Sequence, residues 1–204
     1  TRVLVANAAS LTAIPVIDSV EVAPSVEFGD DDDFGDYAGN SNGPGGDEFE
    51  RIPDDLRKRC SKEDRMDRLR EMGGLPEAEE AVEKGLEWLK ATQNADGSWT
   101  GSNKAAMTGF AVLAYLGRCE TPRSEKYGES CLRGITYLID LGMKNDGKLS
   151  TDTANKHWPY EHAIATYAIC EATTFCKNLS IPIPNLSETA QKAAEFIIAN
   201  QHAK

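Results

Sequence analysis

Two helical patterns alternate along the C-terminal two thirds of the chain. One mixes apolar and charged positions at the spacing of an amphipathic helix, and the other is apolar on nearly every side. A helix that is apolar all round is enclosed by its neighbours, whereas an amphipathic helix covers a core with one face only. We therefore predict an all-α fold in which amphipathic outer helices back apolar inner ones. The predicted outer helices are 77–91, 127–141 and 187–200, and the predicted inner helices are 105–116 and 159–174.

Local signals sharpen two of the predicted elements. Ser61 is placed to cap a short, densely charged helix that the glycines at 73 and 74 end. The helix 77–91 is predicted to have one buried face and one solvent face. The predicted buried residues are Ala78, Ala81, Val82, Gly85, Leu86 and Leu89, and the predicted solvent-facing ones are Glu77, Glu80, Glu83, Glu87 and Lys90.

The turn Gln93-Asn-Ala-Asp-Gly-Ser-Trp99 joins the first outer helix to the first inner helix. Asn, Asp and Gly are turn residues because the first two bond nearby backbone and Gly accepts a positive φ. Asp146-Gly147 recurs fifty residues after Asp96-Gly97, and Gln201 ends a third helical pattern. A period near fifty residues predicts a helical repeat array.

Residues 93–99 resemble the QW motif of the squalene cyclase and prenyltransferase superfamily, and the resemblance extends over residues 77–204. The layout, with Arg-Cys-Ser-x-x-Asp-Arg at 59–65, is similar to exported squalene cyclase-like proteins of planctomycete and verrucomicrobial bacteria. The resemblance implies an α/α-toroid of about two and a half repeats, hence an incomplete barrel. It also implies export to the periplasm or cell envelope, anchored by a segment outside this sequence. The residues of the implied structural motif are Gln93, Asp96, Gly97, Trp99, Asp146 and Gly147.

Charge divides the chain into three predicted regions. Residues 1–50 hold eleven acids and one arginine, which gives −10 of the total net charge of −11. We interpret residues 1–50 as an extended, acidic low-complexity arm, 51–75 as a charged linker helix, and 76–204 as the toroid repeats. Asp30-Asp31-Asp32-Asp33 matches a string that is catalytic in the cyclases, but in a polar arm its carboxylates are expected to be solvated. The chain has no basic stripe, which argues against nucleic-acid binding.

Polar groups with chemical potential gather at the start of the second inner helix. Glu161 and His162 are candidates for an acid/base pair. The alternative is that Glu161 caps free N–H groups and His162 bonds a neighbouring loop. Adjacent residues of a helix point about 100° apart, which favours the structural alternative. The spacing of His157 and His162 is poor for a metal, so no metal or other cofactor is predicted. The side chains expected to line an apolar cavity are Met107, Trp158, Tyr160 and Tyr167.

Two cysteines flank one predicted inter-helix loop. Cys119 and Cys131 could form a disulfide in an oxidising compartment, or the cysteines could be small apolar core residues.

The expected function is that of an exported, anchored interaction or scaffold protein. Its protein partner would bind the arm of residues 1–50, the toroid surface, or both. Val3 to Ala6 is interpreted as the trailing edge of a signal peptide or anchor. Two alternatives stay open: a cyclase-like or lyase-like enzyme whose catalytic acid lies in repeats beyond residue 204, and a binder of an apolar ligand without chemistry.

Overall fold

A computed structural model describes residues 53–99, 103–151, 154 and 156–201. The chain separates into two units, 1–44 and 45–204, and every described residue belongs to the second. The predictions for the acidic arm, including Asp30 to Asp33, therefore lie outside the described residues.

The described part of the chain is entirely helical, with no strand, so the prediction of an all-α fold is confirmed. Each predicted helix is present within a few residues of its expected bounds. One short helix, at residues 54–57, was not predicted. The helices are α1 (Asp54–Arg57), α2 (Lys62–Glu71), α3 (Glu77–Thr92), α4 (Lys104–Gly117), α5 (Gly128–Lys144), α6 (Trp158–Asn178) and α7 (Leu186–Ala199).

Helices α4 and α6, which were predicted as inner helices, lie side by side and share the largest interface among the described helices. Gly109 permits this approach, because a Cβ there would lie 3.2 Å from the Ala165 Cα. Each inner helix also packs on the outer helix that follows it, α4 on α5 and α6 on α7. The core runs along these contacts and includes the fully buried Tyr115, Ile135 and Phe175.

The segment that precedes α3 is bonded to the C-terminal end of α4 and to the C-terminal half of α6. Cys60 forms a disulfide with Cys119, just after α4. The Arg59 guanidinium donates to the largely buried Glu171 carboxylate of α6 at 2.8 Å. Ser61 caps α2 as predicted, its hydroxyl accepting from the Asp64 N–H at 3.1 Å.

The predicted pairing of Cys119 with Cys131 is wrong. Cys131 lies on the buried face of α5 as a free thiol with no exposed surface, and burial raises the pKa of that thiol. Cys119 has a left-handed backbone (φ 61°) and bonds Cys60, fifty-nine residues away in sequence. Cys131 was chosen because it is close to Cys119 in sequence. In the fold, the segment before α3 instead brings Cys60 next to Cys119.

Candidate functional site

The first turn is held by hydrogen bonds of the two residues that bracket it. The Gln93 amide donates to the carbonyls of Gly97 and Ser130, each at 2.9 Å, and accepts from the Ser130 hydroxyl at 2.9 Å. The buried Trp99 indole N–H donates to the Leu89 carbonyl at 2.8 Å. Ser130 belongs to α5, so Gln93 ties the turn after one outer helix to the next outer helix.

Asp96 organises the inside of the same turn. Its carboxylate accepts from the Ser98 N–H at 3.1 Å and from the Lys104 ammonium at 2.8 Å. The Ser98 hydroxyl donates to the same carboxylate. The bond from Lys104 first, and then that from the Ser98 hydroxyl, lower the pKa of Asp96 to about 2. Asp96 is therefore an ionised structural group at neutral pH.

Gly97 brings the turn against α5. Its φ is +86°, and a Cβ there would lie 2.4 Å from the Arg133 carbonyl oxygen. The Arg133 guanidinium also donates a hydrogen bond to the Asn94 carbonyl of the turn at 2.6 Å. The backbone of the turn thus touches the backbone of α5, which only glycine allows.

The turn between α5 and α6 has a glycine contact like that of Gly97, but it has no hydrogen bonds like those of Gln93. Gly147 has φ +88°, and a Cβ there would lie 2.7 Å from the Lys192 carbonyl carbon and oxygen, on α7. Met143 stands where the first segment has Gln93. Thr189 precedes Lys192 by three residues, as Ser130 precedes Arg133. The buried Thr189 hydroxyl has no hydrogen-bond partner. The glycine therefore recurs without the amide that accompanies it in the first segment.

His162 occupies the place in α6 that Thr108 occupies in α4, the fifth residue of each helix. The Thr108 hydroxyl accepts from the Trp99 N–H at 3.3 Å. The His162 Nδ1 accepts from the Leu149 N–H at 2.9 Å, and Leu149 follows Gly147 as Trp99 follows Gly97. Both side chains fasten the end of a turn to the inner helix that follows it.

The ring of His162 is held in one neutral form. Because Nδ1 accepts a hydrogen bond, Nε2 carries the proton and faces the Ala193 carbonyl oxygen at 3.2 Å. Burial, aided by the charge of Lys148, lowers the pKa of His162. Phe196 packs edge-on against the ring, with centroids 4.9 Å apart. Both nitrogens are thus engaged within the protein.

Glu161 caps the other inner helix. Its carboxylate accepts from the Ala105 N–H in the first turn of α4 at 2.9 Å and from the Ser150 hydroxyl at 2.7 Å. It also accepts from the N–H and hydroxyl of Thr151 at 3.2 and 3.0 Å. The side chain is 1% exposed, and the N-terminus of α4 favours its negative charge. These contacts match the structural alternative for Glu161 and His162, in which the first caps free N–H groups and the second bonds a neighbouring segment.

An apolar groove of about 250 Å³ runs between the N-terminal halves of α4 and α6. Met107 and Tyr160 line it as predicted, together with Phe110, which sequence reasoning missed although it lies one turn after Met107. Tyr167 lies outside the groove, further along α6, and is 58% exposed. Trp158 lies elsewhere, packed edge-on against Phe196 of α7 with the Lys148 ammonium 4.0 Å above its ring.

No group of three histidine, cysteine or acidic side chains in the described part of the chain could hold a metal ion. No helix within it has both the length and the apolar character needed to cross a membrane.

Fold and site together define an all-α protein in which two turn glycines, Gly97 and Gly147, pack on α5 and α7 respectively. Comparison of the chain with protein-family models, with curated proteins and with solved structures found no match.

Proposed function

We propose that this protein is a helical-repeat interaction module that binds a protein partner through the exposed face of α4 and α6. The observation that carries the proposal is the apolar character of this face. Met107, Phe110 and Tyr160 are 43%, 52% and 71% exposed, and they project from two helices that bury most of their other large apolar side chains. Large exposed apolar side chains that cluster on one surface are typical of an interaction site.

The state of the polar groups supports binding over catalysis. Glu161 and His162, the candidate acid/base pair, bond backbone groups of α4, of the second turn and of α7. A general base must reach the proton that it abstracts. His162 is 2% exposed, and Glu161, which borders the groove, is 1% exposed and accepts hydrogen bonds at both carboxylate oxygens.

The size of the groove supports a protein partner over an apolar ligand. Pockets for small ligands typically enclose about 300–1,000 Å³ and cover most of the ligand. The groove here is about 250 Å³ and open to solvent. It suits the insertion of one or two side chains from a partner rather than the enclosure of an isoprenoid.

The wider proposal is an α/α-toroid protein that works outside the cytoplasm. The recurring glycine contact and the pairing of α4 with α6 support a toroid-like array, with residues 1–50 as the tethering or docking arm. The Cys60–Cys119 disulfide supports an oxidising compartment, such as the periplasm or cell envelope, because disulfides are rare in reducing cytosol.

Photo-crosslinking tests the proposed surface. The full chain carries p-benzoylphenylalanine in place of Phe110 or, as a control, in place of Ile198, which is 67% exposed on α7. In native envelope extract, we expect a polypeptide adduct at position 110 that is absent at 198 and is lost when Tyr160→Asp is added. A lipid adduct at 110 would instead favour the apolar-ligand alternative. Absence of any adduct would contradict the proposal, as would turnover of an isoprenoid or glycan by the pure protein at enzyme-like rates.

A further inference from the structure

The exposed face of α4 and α6 continues beyond the groove. On α6, both Ala163 and Tyr167 are exposed, and on α4 the exposed line continues through Ala114 to Gly117. All four residues are uncharged. We call the surface formed by these residues and by the exposed side chains of the groove the α4–α6 face.

On α6, the exposed part of the α4–α6 face ends at Glu171. A spacing of four residues places Glu171 on the side of the helix that carries Ala163 and Tyr167. Tyr167 is 58% exposed, whereas the Glu171 side chain, one turn further on, is 7% exposed. The Arg59 guanidinium lies against this side chain and donates to its carboxylate at 2.8 Å. The segment that precedes α3 therefore covers this end of the face.

We call residues 53–75, which include α1 and α2, the strap. Cys60 bonds the strap to Cys119, two residues after the last residue of α4. The Arg65 guanidinium donates to the Glu79 carboxylate of α3 at 2.8 Å and to the carbonyl of Arg59 at 2.6 Å. The strap is thus held at α3, at the end of α4 and at Glu171 of α6.

The strap adds little to the buried core. None of the side chains described between 53 and 75 is fully buried, and Leu56 and Cys60, which pack against the core, are only partly buried. The side chains of Arg59 and Arg65 are 29% and 19% exposed, and ion pairs that solvent reaches stabilise little. The disulfide is therefore the strongest link between the strap and the repeats. It is also the only disulfide of the chain, since the other three of the five cysteines are free.

We propose that the strap is a redox-sensitive cover of the α4–α6 face. When a dithiol reduces the bond between Cys60 and Cys119, the strap detaches and the end of the face at Glu171 becomes accessible, while helices α3 to α7 stay folded. Those helices keep their own core, which includes the fully buried Ile135 and Phe175. The use of the uncovered end in docking rests on the proposed function, whereas its uncovering does not.

The strap is released by thiol–disulfide exchange. Cys60 and Cys119 are only partly buried, so a thiolate can reach the bond. One sulfur of the dithiol attacks one Sγ, which forms a mixed disulfide and expels the other Sγ as a thiolate that takes up a proton. The second sulfur then displaces the remaining cysteine and closes the disulfide of the reductant. Two electrons and two protons pass in total from the dithiol to the two cysteines, and the bond forms again in the oxidising compartment proposed above.

Carboxyl labelling measures the cover directly. The full chain is treated with or without dithiothreitol, and in both samples the free thiols are then blocked with iodoacetamide. After removal of these reagents, a water-soluble carbodiimide couples glycine ethyl ester to accessible carboxylates, which mass spectrometry of the peptides locates. We expect labelling of Glu171 to rise about fivefold on reduction, toward that of Asp140, which is exposed on α5. Glu161, near the other end of α6 and 1% exposed, should stay unlabelled in both samples.

Arg59→Gln is the matched control, since it removes the ion pair with Glu171 and leaves the disulfide intact. Before reduction, we expect its labelling of Glu171 to stay within about twofold of the unaltered chain. Equal labelling of Glu171 with and without the disulfide overturns the inference, as does full labelling in oxidised Arg59→Gln. So does a rise at Glu161 or a loss of helical circular dichroism on reduction, because the whole fold would then open. The labelling needs no partner, so the crosslinking test at position 110 can fail or succeed independently of it.

Discussion

The two turn glycines offer the sharpest test of how the helices are held together. Gly97 and Gly147 have φ near +87° (+86° and +88°), and each turn touches the backbone of the next outer helix. Alanine at either position would adopt a left-handed backbone, and its Cβ would lie 2.4 Å from Arg133 or 2.7 Å from Lys192. Gly97→Ala and Gly147→Ala should therefore both destabilise the fold.

The magnitude follows from two separate costs. A left-handed backbone costs an alanine about 1–2 kcal/mol relative to glycine. Forcing a methyl group into a filled contact costs about 1–3 kcal/mol more, because the turn must move away from the facing helix. The sum is about 2–5 kcal/mol. For a protein of this size that corresponds to a decrease of roughly 6–12 °C in Tm for a typical 3 kcal/mol.

Gly85→Ala is the matched control with the opposite sign. Gly85 lies inside α3, and a Cβ there meets no atom within 4 Å. Replacing a glycine in a helix interior with alanine stabilises by about 0.5–1 kcal/mol, because glycine loses more backbone entropy on folding. All three variants are compared as full chains by thermal and urea unfolding, followed by circular dichroism.

An unfolding temperature of Gly97→Ala equal to or above that of the unaltered chain would show that the turn does not need glycine at this position. If Gly147→Ala alone leaves the unfolding temperature unchanged, the turn at Gly147 does not contact α7 as closely as the turn at Gly97 contacts α5. Either result would remove the physical basis for treating the two turns as equivalent.

Three further predictions concern other contacts. Burial lowers the pKa of His162, so the unfolded state binds more protons than the folded state. The contribution of His162 to the free energy of unfolding is therefore complete above about pH 6.5 and is lost as the pH falls below that value. His162→Asn should reduce this pH dependence in urea unfolding, and an unchanged dependence would contradict the expectation. Reduction of the Cys60–Cys119 disulfide should cost about 4 kcal/mol from loop-closure entropy, and peptide mapping without reductant should recover this pair. Gln93→Met should cost about 2 kcal/mol in urea unfolding, since it removes three hydrogen bonds; a loss below about 0.5 kcal/mol would count against it.

The helices could be predicted because their signal is local. The all-round apolar pattern of α4 required only the sequence of that segment, and its predicted bounds of 105–116 differ little from Lys104–Gly117. The same holds for Ser61 as a cap, since its hydrogen bond reaches only to Asp64.

The tertiary contacts could not be predicted in this way, because their partners are distant in sequence. The predicted buried face of α3 is confirmed at Leu86, whereas Ala81 and Gly85 are exposed. Lys126, far along the chain, pairs with Glu83 and Glu87, which remain about half exposed (46% each). The partner of Cys119 depends on the course of the chain before α3. At the candidate site, the composition around Glu161 suggested catalysis or capping, and only the position of Ala105 distinguishes them.

The hydrogen bond from Ala105 to Glu161 has a consequence for the order in which the protein matures. The N-terminus of α4 receives its carboxylate cap from a residue fifty-six positions later in the chain. During synthesis, α4 leaves the ribosome before α6, so the Ala105 N–H gains this partner only once residue 161 has emerged. A nascent chain that has emerged only as far as α5 therefore lacks the carboxylate cap, and the first predicted inner helix is completed by the second.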